Sequence, residues 1–408
     1  AGENAREIAI AEHSWDLRVE SIVQSLKGAF TLQRTSQNTQ KPVRVLINAL
    51  HSKSGGGLTY LNNTLPLFNK DPRIDVHIYL HRNQLDLITL DELENITPHT
   101  TSFSYNLWYM LYFEQVILPK KALSLKYDVL FSPANYGPLF ISRSVLLMRN
   151  ALSVAFVERR FSKRLYWLLI FFGTIFSLAR AKTAIAVSEY ASRSATGGLQ
   201  RVFARKMRVV PHGVNNSFVR GDNESRKEAS LLCVSDLYVQ KNIHTLVHAL
   251  PKVRETHPKF TLKIAGASVD KEYADALQVI IRDLGLNDCV YFLGSIDVLQ
   301  LKRHYQDTSL FVFPSTVETF GNPLVEAMAC GAPIACSNTA AIPEVAGDAA
   351  EYFDPYDADD MARVISALLS DDARREELSR LGVERAKMYT WEVTARKTAD
   401  VFIEAARK

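Results

Sequence analysis

Cysteine is scarce in this 408-residue sequence, which contains four cysteines, at positions 233, 289, 330 and 336. No two of them form a Cys-x-x-Cys pair or stand at a metal-ligand spacing from a histidine, which argues against a structural metal site. All four lie in the second half of the chain, mostly in apolar strand or helix contexts, where a free buried thiol is expected more often than a disulfide. The sequence therefore predicts a reducing compartment, and we expect a cytoplasmic protein.

Long apolar runs are absent as well. No run reaches the roughly 18 to 20 residues that a membrane-spanning helix needs, and we expect no signal peptide. The net charge of +4 is too small to indicate a nucleic-acid partner. With 47% hydrophobic and 23% charged residues the composition is that of a globular protein, and its length predicts more than one domain.

Short apolar runs with strand composition recur along the chain, and helical patterns separate them. The clearest runs lie at 43–50, 76–80, 129–132, 145–148, 183–188, 231–234, 260–265, 289–293 and 310–313. Because strands that alternate with helices form parallel sheets, the pattern predicts an α/β protein with doubly wound sheets. We assign residues 41–205 to a first domain that ends with strand 183–188, residues 206–385 to a second domain, and residues 386–408 to a terminal helix that crosses back to the first.

The stretch 309–338 has the clearest local pattern. An apolar strand at 310–313 is followed by a polar loop and then by a short helix. Asn322 and Pro323 are predicted as the N-cap and the first residue of this helix, and Gly331 as the residue that ends it. This strand-loop-helix pattern is the building unit of a doubly wound sheet.

Two carboxylates belong to the same stretch, Glu318 in the loop and Glu326 in the predicted first helical turn. Free backbone N–H groups at 321–324 would form an anion site suited to a diphosphate. The two carboxylates would then accept hydrogen bonds from sugar or ribose hydroxyl groups. The alternatives are a solvated loop acid for Glu318 and a helix-dipole contact for Glu326.

The string E-T-F-G-N-P-L-V-E-A-M-A-C-G-A-P-I, which starts at Glu318, resembles the signature of the retaining glycosyltransferases of family 4. That family has the GT-B fold, two Rossmann-like domains that face a central cleft, and the resemblance implies this fold here. In the family the first Glu of the motif lies at the donor sugar and the second binds the ribose of the nucleotide, roles implied for Glu318 and Glu326. The resemblance also places four neighbouring residues at the donor: Phe320, Gly321, Asn322 and Pro323.

A second string, S-D-L-Y-V-Q-K-N, is similar to the family pattern G-R-L-x-x-x-K-N, whose Arg and Lys clamp the donor diphosphate. Lys241 matches, so the resemblance implies a catalytic role for Lys241 together with Glu318. Asp236 stands at the Arg position and reverses the charge. Either another cation replaces the Arg, or Asp236 turns away from the cleft. By the same resemblance Gly294 and Ser295 are implied as contacts of the nucleobase.

Three glycines follow the first strand, Gly55, Gly56 and Gly57, and they allow a ligand to approach the backbone closely. The equivalent loop of the family faces the cleft between the domains. A plain flexible turn is the alternative.

Arg149 and Asn150 follow the strand 145–148, near the point where many family members carry a histidine that helps to hold the donor sugar. No histidine occurs between His99 and His212 in this sequence. Arg149 or Asn150 is therefore expected to take that role, at the acceptor side of the cleft.

Residues 165–179 are strongly apolar, and cations from Arg159 to Lys182 flank them. The stretch is too short to span a bilayer. It predicts either a helix packed on the sheet with a basic exposed end, or a helix that lies on an anionic membrane surface. The second interpretation gives a peripheral contact with the inner face of the plasma membrane.

Residues 1–40 are interpreted as a helical extension and a polar linker. The S-W-D at 14–16 begins a helical pattern like the one after T-W-E at 390–392, and in the family such a segment closes the second domain. We expect a tandem protein in which residues 1–40 are the tail of a preceding glycosyltransferase unit. The alternative is an unrelated amphipathic helix.

The reaction implied by the resemblance moves a sugar from a nucleotide-diphosphate donor to an acceptor hydroxyl with retention of configuration. We expect mannose from GDP-mannose, and a glycan or lipid-linked glycan of a bacterial surface polysaccharide (O-antigen or capsule) as the acceptor. We expect neither a metal ion nor a cofactor. The alternative is a catalytically silent GT-B domain that serves as a binding or scaffolding unit in a tandem protein.

Overall fold

The computed structural model describes residues 41–53, 55–90, 92–103, 107–149, 161–196, 199–221 and 229–407. From Val43 to Lys408 the chain forms one compact unit. The predicted extension and linker at 1–40 and the predicted site residue Asn150 lie outside the described residues.

The first sheet in the described chain has seven strands in the order β3-β2-β1-β4-β5-β6-β7, and all neighbours are parallel. The strands are β1 Val43–Asn48, β2 Ile74–His81, β3 Ile96–Thr101, β4 Val129–Ser132, β5 Ser144–Met148, β6 Thr183–Ala186 and β7 Met207–Val209. The chain winds outward from the centre in both directions, so the direction switches between β1 and β4.

Helices connect these strands, as parallel pairing requires. They are α1 Gly55–Phe68, α2 Leu107–Tyr112, α3 Leu118–Ser124, α4 Phe161–Arg180, α5 Glu189–Ala195 and α6 Gln200–Phe203. A π turn, Phe113–Ile117, joins α2 to α3, and short 3₁₀ turns lie at Arg82–Gln84 and Ala204–Lys206.

The second sheet has six parallel strands in the order β10-β9-β8-β11-β12-β13, and its direction switches between β8 and β11. Its strands are β8 Ser230–Val234, β9 Thr261–Ala265, β10 Val290–Gly294, β11 Leu310–Phe313, β12 Ile334–Ser337 and β13 Glu351–Phe353. The helices that follow are α7 Ile243–Thr256, α8 Lys271–Asp283, α9 Val298–Asp307, α10 Asn322–Ala329, α11 Ile342–Ala346, α12 Ala358–Leu369, α13 Asp372–Ala386 and α14 Trp391–Arg407. The two doubly wound parallel sheets confirm the predicted fold class.

The central strands are buried along their whole length: every residue of β4, β5, β8 and β11 is buried. This explains why their sequences are continuous apolar runs, since helices cover both faces of a parallel sheet. Burying one large apolar side chain contributes about 1.5 to 3 kcal/mol, so these strands anchor both halves of the unit. The four cysteines are free and buried, as the sequence predicted.

The last helix, α14, returns to the first sheet and packs against α1. Thr398 Oγ1 lies 2.9 Å from the Tyr60 hydroxyl, and the rings of Phe402 and Phe68 are 5.8 Å apart. At the sheet edge the Arg208 guanidinium donates to Glu404 at 2.6 Å. These contacts hold the last helix against α1 and against the edge strand β7.

Two local expectations were wrong. The strand 183–188 is not the last of the first sheet, because Met207–Val209 pairs with β6 as a further parallel strand, just beyond the domain boundary predicted at 205. The three glycines are not a loop before a helix: α1 begins at Gly55, so Gly55, Gly56 and Gly57 form its first turn.

Helix α4 buries only one of its faces. Thr174, Ser177 and Leu178 are buried, as expected of a helix packed on a sheet. Leu165, Leu169, Phe172 and Phe176 follow one another at helical spacing and are 48% to 65% exposed. We call these four residues the α4 stripe. Within the described residues no helix is long and apolar enough to cross a bilayer.

Candidate active site

The two residues predicted to be catalytic meet at the switch point of the second sheet. Lys241 follows β8, at the end of the 3₁₀ turn Val239–Lys241, and Glu318 follows the neighbouring strand β11. Loops that leave a parallel sheet at its switch point diverge and leave a crevice for a ligand. Here the Lys241 ammonium forms an ion pair with the Glu318 carboxylate.

Asn242 holds the backbone that presents Lys241. It has a left-handed φ of 58°, a conformation that asparagine adopts more readily than most residues. Its Nδ2 donates to the carbonyl oxygens of Pro314, at 3.1 Å, and Pro355, at 2.7 Å. The Lys-Asn pair of the motif therefore combines one charged side chain with one that fixes the turn.

Helix α10 begins next to Glu318, one residue earlier than predicted. Gly321, with a φ of 87°, is the N-cap, and Asn322 and Pro323 are the first two helical residues. The predicted N-cap at Asn322 is wrong because the glycine takes the left-handed turn before the helix. The Asn322 side chain instead contacts Nδ1 of His212 at 3.2 Å.

Glu326 lies beyond the first turn of α10, not within it as the sequence predicted. Its Oε2 accepts a hydrogen bond from the Tyr305 hydroxyl at 3.1 Å. Burial raises the pKa of Glu326 to about 7, and the Tyr305 hydrogen bond opposes this increase. Such a carboxyl group gains its charge readily near neutral pH when a ligand brings donors to it.

Phe320 belongs to the core. Its buried ring packs against His212 at 5.5 Å and Tyr389 at 5.4 Å between centroids. A donor would therefore meet the backbone of Phe320 and not its side chain. Burial also lowers the pKa of His212 to about 4, so this histidine stays neutral at physiological pH.

The motif loop is bonded to the first sheet. Thr319 Oγ1 donates to the Arg149 carbonyl at 2.7 Å, and the Thr319 carbonyl accepts from Ser188 Oγ at 2.6 Å. Arg149 follows β5 and Ser188 follows β6, so both partners lie at the carboxyl edge of the first sheet. Glu318 is thus held where the carboxyl edges of the two sheets meet.

Arg149 brings a buried cation to this place. Its guanidinium lies over Gly57: a Cβ on that glycine would be 2.0 Å from Nη1. Burial lowers the pKa of Arg149, the nearby Tyr136 opposes this, and Nε has no hydrogen-bond partner among the described residues. A largely buried guanidinium with an N–H that has no partner among the described residues is costly, so this arrangement is typical of a site that receives an anion.

The predicted site residues Gly55, Gly56, Gly294 and Ser295 have more free space around them than Gly57. A Cβ on Gly55, Gly56 or Gly294 would meet nothing within 4 Å. Gly294 and Ser295 are exposed at the end of β10, the edge strand two positions from β8, so they are not at the switch point itself.

Asp236 has a structural role in a neighbouring loop. Its Oδ1 accepts a hydrogen bond from the backbone N–H of Ala267, beyond β9, at 2.8 Å. Of the two alternatives that the charge reversal raised, this geometry favours an Asp236 side chain that turns away from the cleft, toward the loop after β9. Arg149 offers a second cation from the opposite sheet.

One polar cluster was not foreseen from the sequence. His51 follows β1, Tyr136 follows β4, and Glu114 lies in the π turn Phe113–Ile117. His51 Nε2 lies 3.2 Å from Glu114 Oε1, and the Tyr136 hydroxyl lies 3.4 Å from His51 Nδ1. A histidine shortly after a buried strand was the available signal, whereas Glu114 is 63 residues away in sequence and gave none.

Chemically, the site offers two cations, the start of a helix and two carboxylates. Lys241, Arg149 and α10 suit an anion, and Glu318 and Glu326 suit hydroxyl groups. Among the described residues, no three His, Cys, Asp or Glu side chains come together as a metal site.

Lys241, Glu318 and Glu326 also lie in the part of the chain that matches a known family. Residues 216–385 fit the family model described as glycosyl transferases group 1. These residues belong to that family. The resemblance drawn from the E-T-F-G-N-P-L-V-E string is thereby confirmed for residues 216–385.

A curated relative is the O-antigen chain mannosyltransferase B of Escherichia coli. It is 32% identical to this chain over 172 residues, which cover 42% of this chain and 45% of that protein. The chain thus spans about half the length of the curated relatives it matches.

Two solved structures resemble most of this chain. Sucrose-phosphate synthase from Thermosynechococcus elongatus has a TM-score of 0.70 at 19% identity and covers 89% of this chain and 98% of its own. Anabaena HepE in complex with UDP and glucose has a TM-score of 0.70 at 18% identity, and the match covers 89% of this chain and 100% of the HepE chain. At these identities the likeness shows the fold, which is GT-B.

Proposed function

We propose that this protein is a retaining glycosyltransferase that moves a sugar from a nucleotide-diphosphate donor to an acceptor hydroxyl. The observation that carries the proposal is the meeting of Lys241 and Glu318 at the switch point of the second sheet, inside the family-matched residues. Two distant loops bring a cation and a carboxylate together where a doubly wound sheet binds its ligands.

The donor diphosphate would lie against Lys241 and the start of α10, with the Arg149 guanidinium approaching from the first sheet. These groups stabilise the negative charge that builds on the leaving diphosphate as the bond to the sugar lengthens. Glu318 accepts hydrogen bonds from the sugar, and Glu326 from the ribose. No resident metal ion and no cofactor are part of the proposal.

Retention of configuration needs no side-chain nucleophile in this arrangement. The acceptor hydroxyl approaches the face from which the diphosphate departs, and a phosphate oxygen takes the acceptor proton. The new bond joins the acceptor oxygen to the anomeric carbon, and the bond from that carbon to the phosphate oxygen breaks. The protein contributes positioning and charge.

For the sugar we propose mannose, supplied as GDP-mannose, for a bacterial surface polysaccharide such as an O-antigen or capsule. Support comes from the likeness to the E. coli O-antigen chain mannosyltransferase B. The acceptor would be a glycan or a lipid-linked glycan.

We further propose that the α4 stripe contacts the membrane surface from which a lipid-linked acceptor is reached. The stripe exposes two leucine and two phenylalanine side chains along one helix face. Arg180, at the end of α4, and Lys182 supply positive charge beside it. Apolar side chains flanked by cations suit an anionic lipid surface. This contact would make the protein peripheral at the inner face of the plasma membrane.

Direct turnover tests the proposed function. The protein is incubated with GDP-mannose, UDP-glucose or dTDP-glucose and a panel of p-nitrophenyl hexosides, and products are identified by NMR. We expect one donor to be consumed and the product to keep the anomeric configuration of that donor. An inverted product would contradict retention. Nucleotide binding without turnover of any donor would favour the silent binding domain.

A further inference from the structure

The mechanism proposed above leaves the cluster of His51, Glu114 and Tyr136 on the first sheet without a role. β1 and β4 are neighbouring parallel strands, and the direction of the first sheet switches between them. His51 and Tyr136 follow these two strands, so they occupy in the first sheet the place that Lys241 and Glu318 occupy in the second. Ligands bind at such points in doubly wound sheets.

Glu114 gives this cluster a buried carboxylate. The side chain is 1% exposed, and its Oε1 receives Asn48 Nδ2 at 3.0 Å and His51 Nε2 at 3.2 Å. Its Oε2 and the Oδ1 of Asn48 are buried without a hydrogen-bond partner among the described residues. Burying a carboxylate with so few hydrogen-bond donors costs free energy. Buried polar atoms without partners therefore call for an explanation, and a ligand-binding site is one.

The carboxylate fixes which nitrogen of His51 carries the hydrogen. Nε2 faces Glu114 Oε1, which accepts hydrogen bonds, so Nε2 donates and Nδ1 is left as an acceptor. Nδ1 faces the Tyr136 hydroxyl at 3.4 Å, a length at which the contact is weak. The His51 side chain keeps 16% of its surface exposed, so the ring is not sealed off from a ligand.

The cluster is continuous with the proposed donor site. Tyr136 lies near enough to Arg149 to act on the pKa of its guanidinium, which lies over Gly57. The Arg149 carbonyl in turn accepts from Thr319, the residue after Glu318. His51 therefore lies on the first-sheet side of the site, whereas Lys241 and Glu318 lie on the second-sheet side.

We propose that His51, oriented by Glu114, binds a hydroxyl group of the acceptor sugar through Nδ1, with Tyr136 beside it. That the bound sugar is the acceptor rests on the proposed glycosyl transfer. Binding of a sugar at His51 does not depend on that proposal. His51 holds and orients the acceptor and takes no proton from it, since the acceptor proton passes to the leaving phosphate. The ligand class is a hexose or a glycan with a free hydroxyl group.

Binding of p-nitrophenyl hexosides, measured by saturation-transfer NMR without any donor, tests this site. The variants are His51→Gln and the isosteric Glu114→Gln, which keeps the packing of the buried side chain. The matched control is His248→Gln, at an exposed histidine of α7. We expect affinity for the bound hexoside to fall about tenfold in the first two variants, the loss of one charge-supported hydrogen bond, and to stay unchanged in the third.

The thermal shift caused by the nucleotide donor is then measured for the same variants. If the wild type turns over a donor, the KM for the acceptor is measured as well. We expect unchanged nucleotide shifts and a raised acceptor KM. Hexoside affinity that is equal in all four proteins, or lost together with the nucleotide shift, would overturn the proposal. If His51-dependent hexoside binding occurs but no donor turns over, the glycosyltransferase proposal fails and this site stands.

Discussion

The Lys241 ammonium is paired with the Glu318 carboxylate, although 77 residues separate the two in the chain. Their side chains are only 20% and 11% exposed, so each charge depends on the other for compensation. A donor diphosphate would compete with Glu318 for Lys241, and the sugar would then replace Lys241 as the hydrogen-bond partner of Glu318. In the absence of a donor, the ion pair thus compensates both charges.

This dependence predicts strong coupling between substitutions of the pair. Lys241→Met should destabilise the protein because it leaves the Glu318 carboxylate without its cation. The double variant with Glu318→Gln should recover about 1 to 3 kcal/mol of that loss, since it removes both charges. Urea denaturation of the wild type, both single variants and the double variant measures the coupling. Additive effects would contradict it.

The raised pKa of Glu326 predicts that nucleotide binding releases a proton. The pKa of its carboxyl is raised to about 7, so a large fraction of the side chains is protonated at pH 7. Ribose hydroxyl groups that donate to the carboxylate favour its charged form and expel the proton. Calorimetric titration with GDP or UDP at pH 7, in buffers of different ionisation enthalpy, should report this release, and Glu326→Gln should abolish it. If Glu326→Gln still releases a proton on nucleotide binding, the proton comes from another group.

The same raised pKa has a consequence for stability. Between pH 4.5 and about 7 the unfolded carboxyl is ionised while the folded one is not, so the unfolded state holds fewer protons. Stability from this group is therefore lost as the pH rises through that range. The melting temperature of the wild type, relative to Glu326→Gln, should fall from pH 5 to pH 7. Because buried His212 has the opposite dependence, with its pKa lowered to about 4, only this difference isolates Glu326.

Gly57 and Gly56 provide a matched pair of substitutions. In Gly57→Ala the new Cβ would overlap the Arg149 guanidinium, and the flexible end of that side chain would move. In Gly56→Ala the Cβ meets nothing within 4 Å. We expect donor affinity to fall about tenfold in the first variant, which displaces one buried cation, and to remain in the second. Thermal melts serve as the control, since alanine suits a helix better than glycine in both cases. Equal donor affinity would show that Arg149 does not reach the donor.

The α4 stripe predicts binding to anionic vesicles. Phe172→Ser combined with Phe176→Ser removes two large apolar contacts and should lower the partition coefficient at least tenfold, since each buried aromatic contributes about 1.5 to 3 kcal/mol. Val279→Ser, at an exposed apolar residue of α8, is the control. Co-sedimentation with vesicles of phosphatidylglycerol and phosphatidylcholine measures the effect. Equal sedimentation of all three proteins would contradict a membrane contact through this helix.

The sequence predicted the architecture well because the strands are continuous apolar runs of a parallel sheet. The bounds of β4 and β11 were predicted to the residue, at 129–132 and 310–313. It failed at β7, a strand of three residues in which Arg208 interrupts the apolar pattern. It also misplaced the start of α10, since both Gly321 and Asn322 are favourable N-cap residues and only the backbone decides between them.

By itself, the sequence determined the two doubly wound sheets, the family resemblance of the second half, and the identity of Lys241, Glu318 and Glu326 as a candidate set. All of these depend on local periodicity or on two contiguous strings. The tertiary structure decided which residues face one another. It put the Arg149 guanidinium over Gly57, turned Asp236 to the Ala267 amide, and joined His51 to Glu114. Such contacts connect residues far apart in sequence. The order in which the strands pair in each sheet brings these residues together, and the local sequence does not reveal that order.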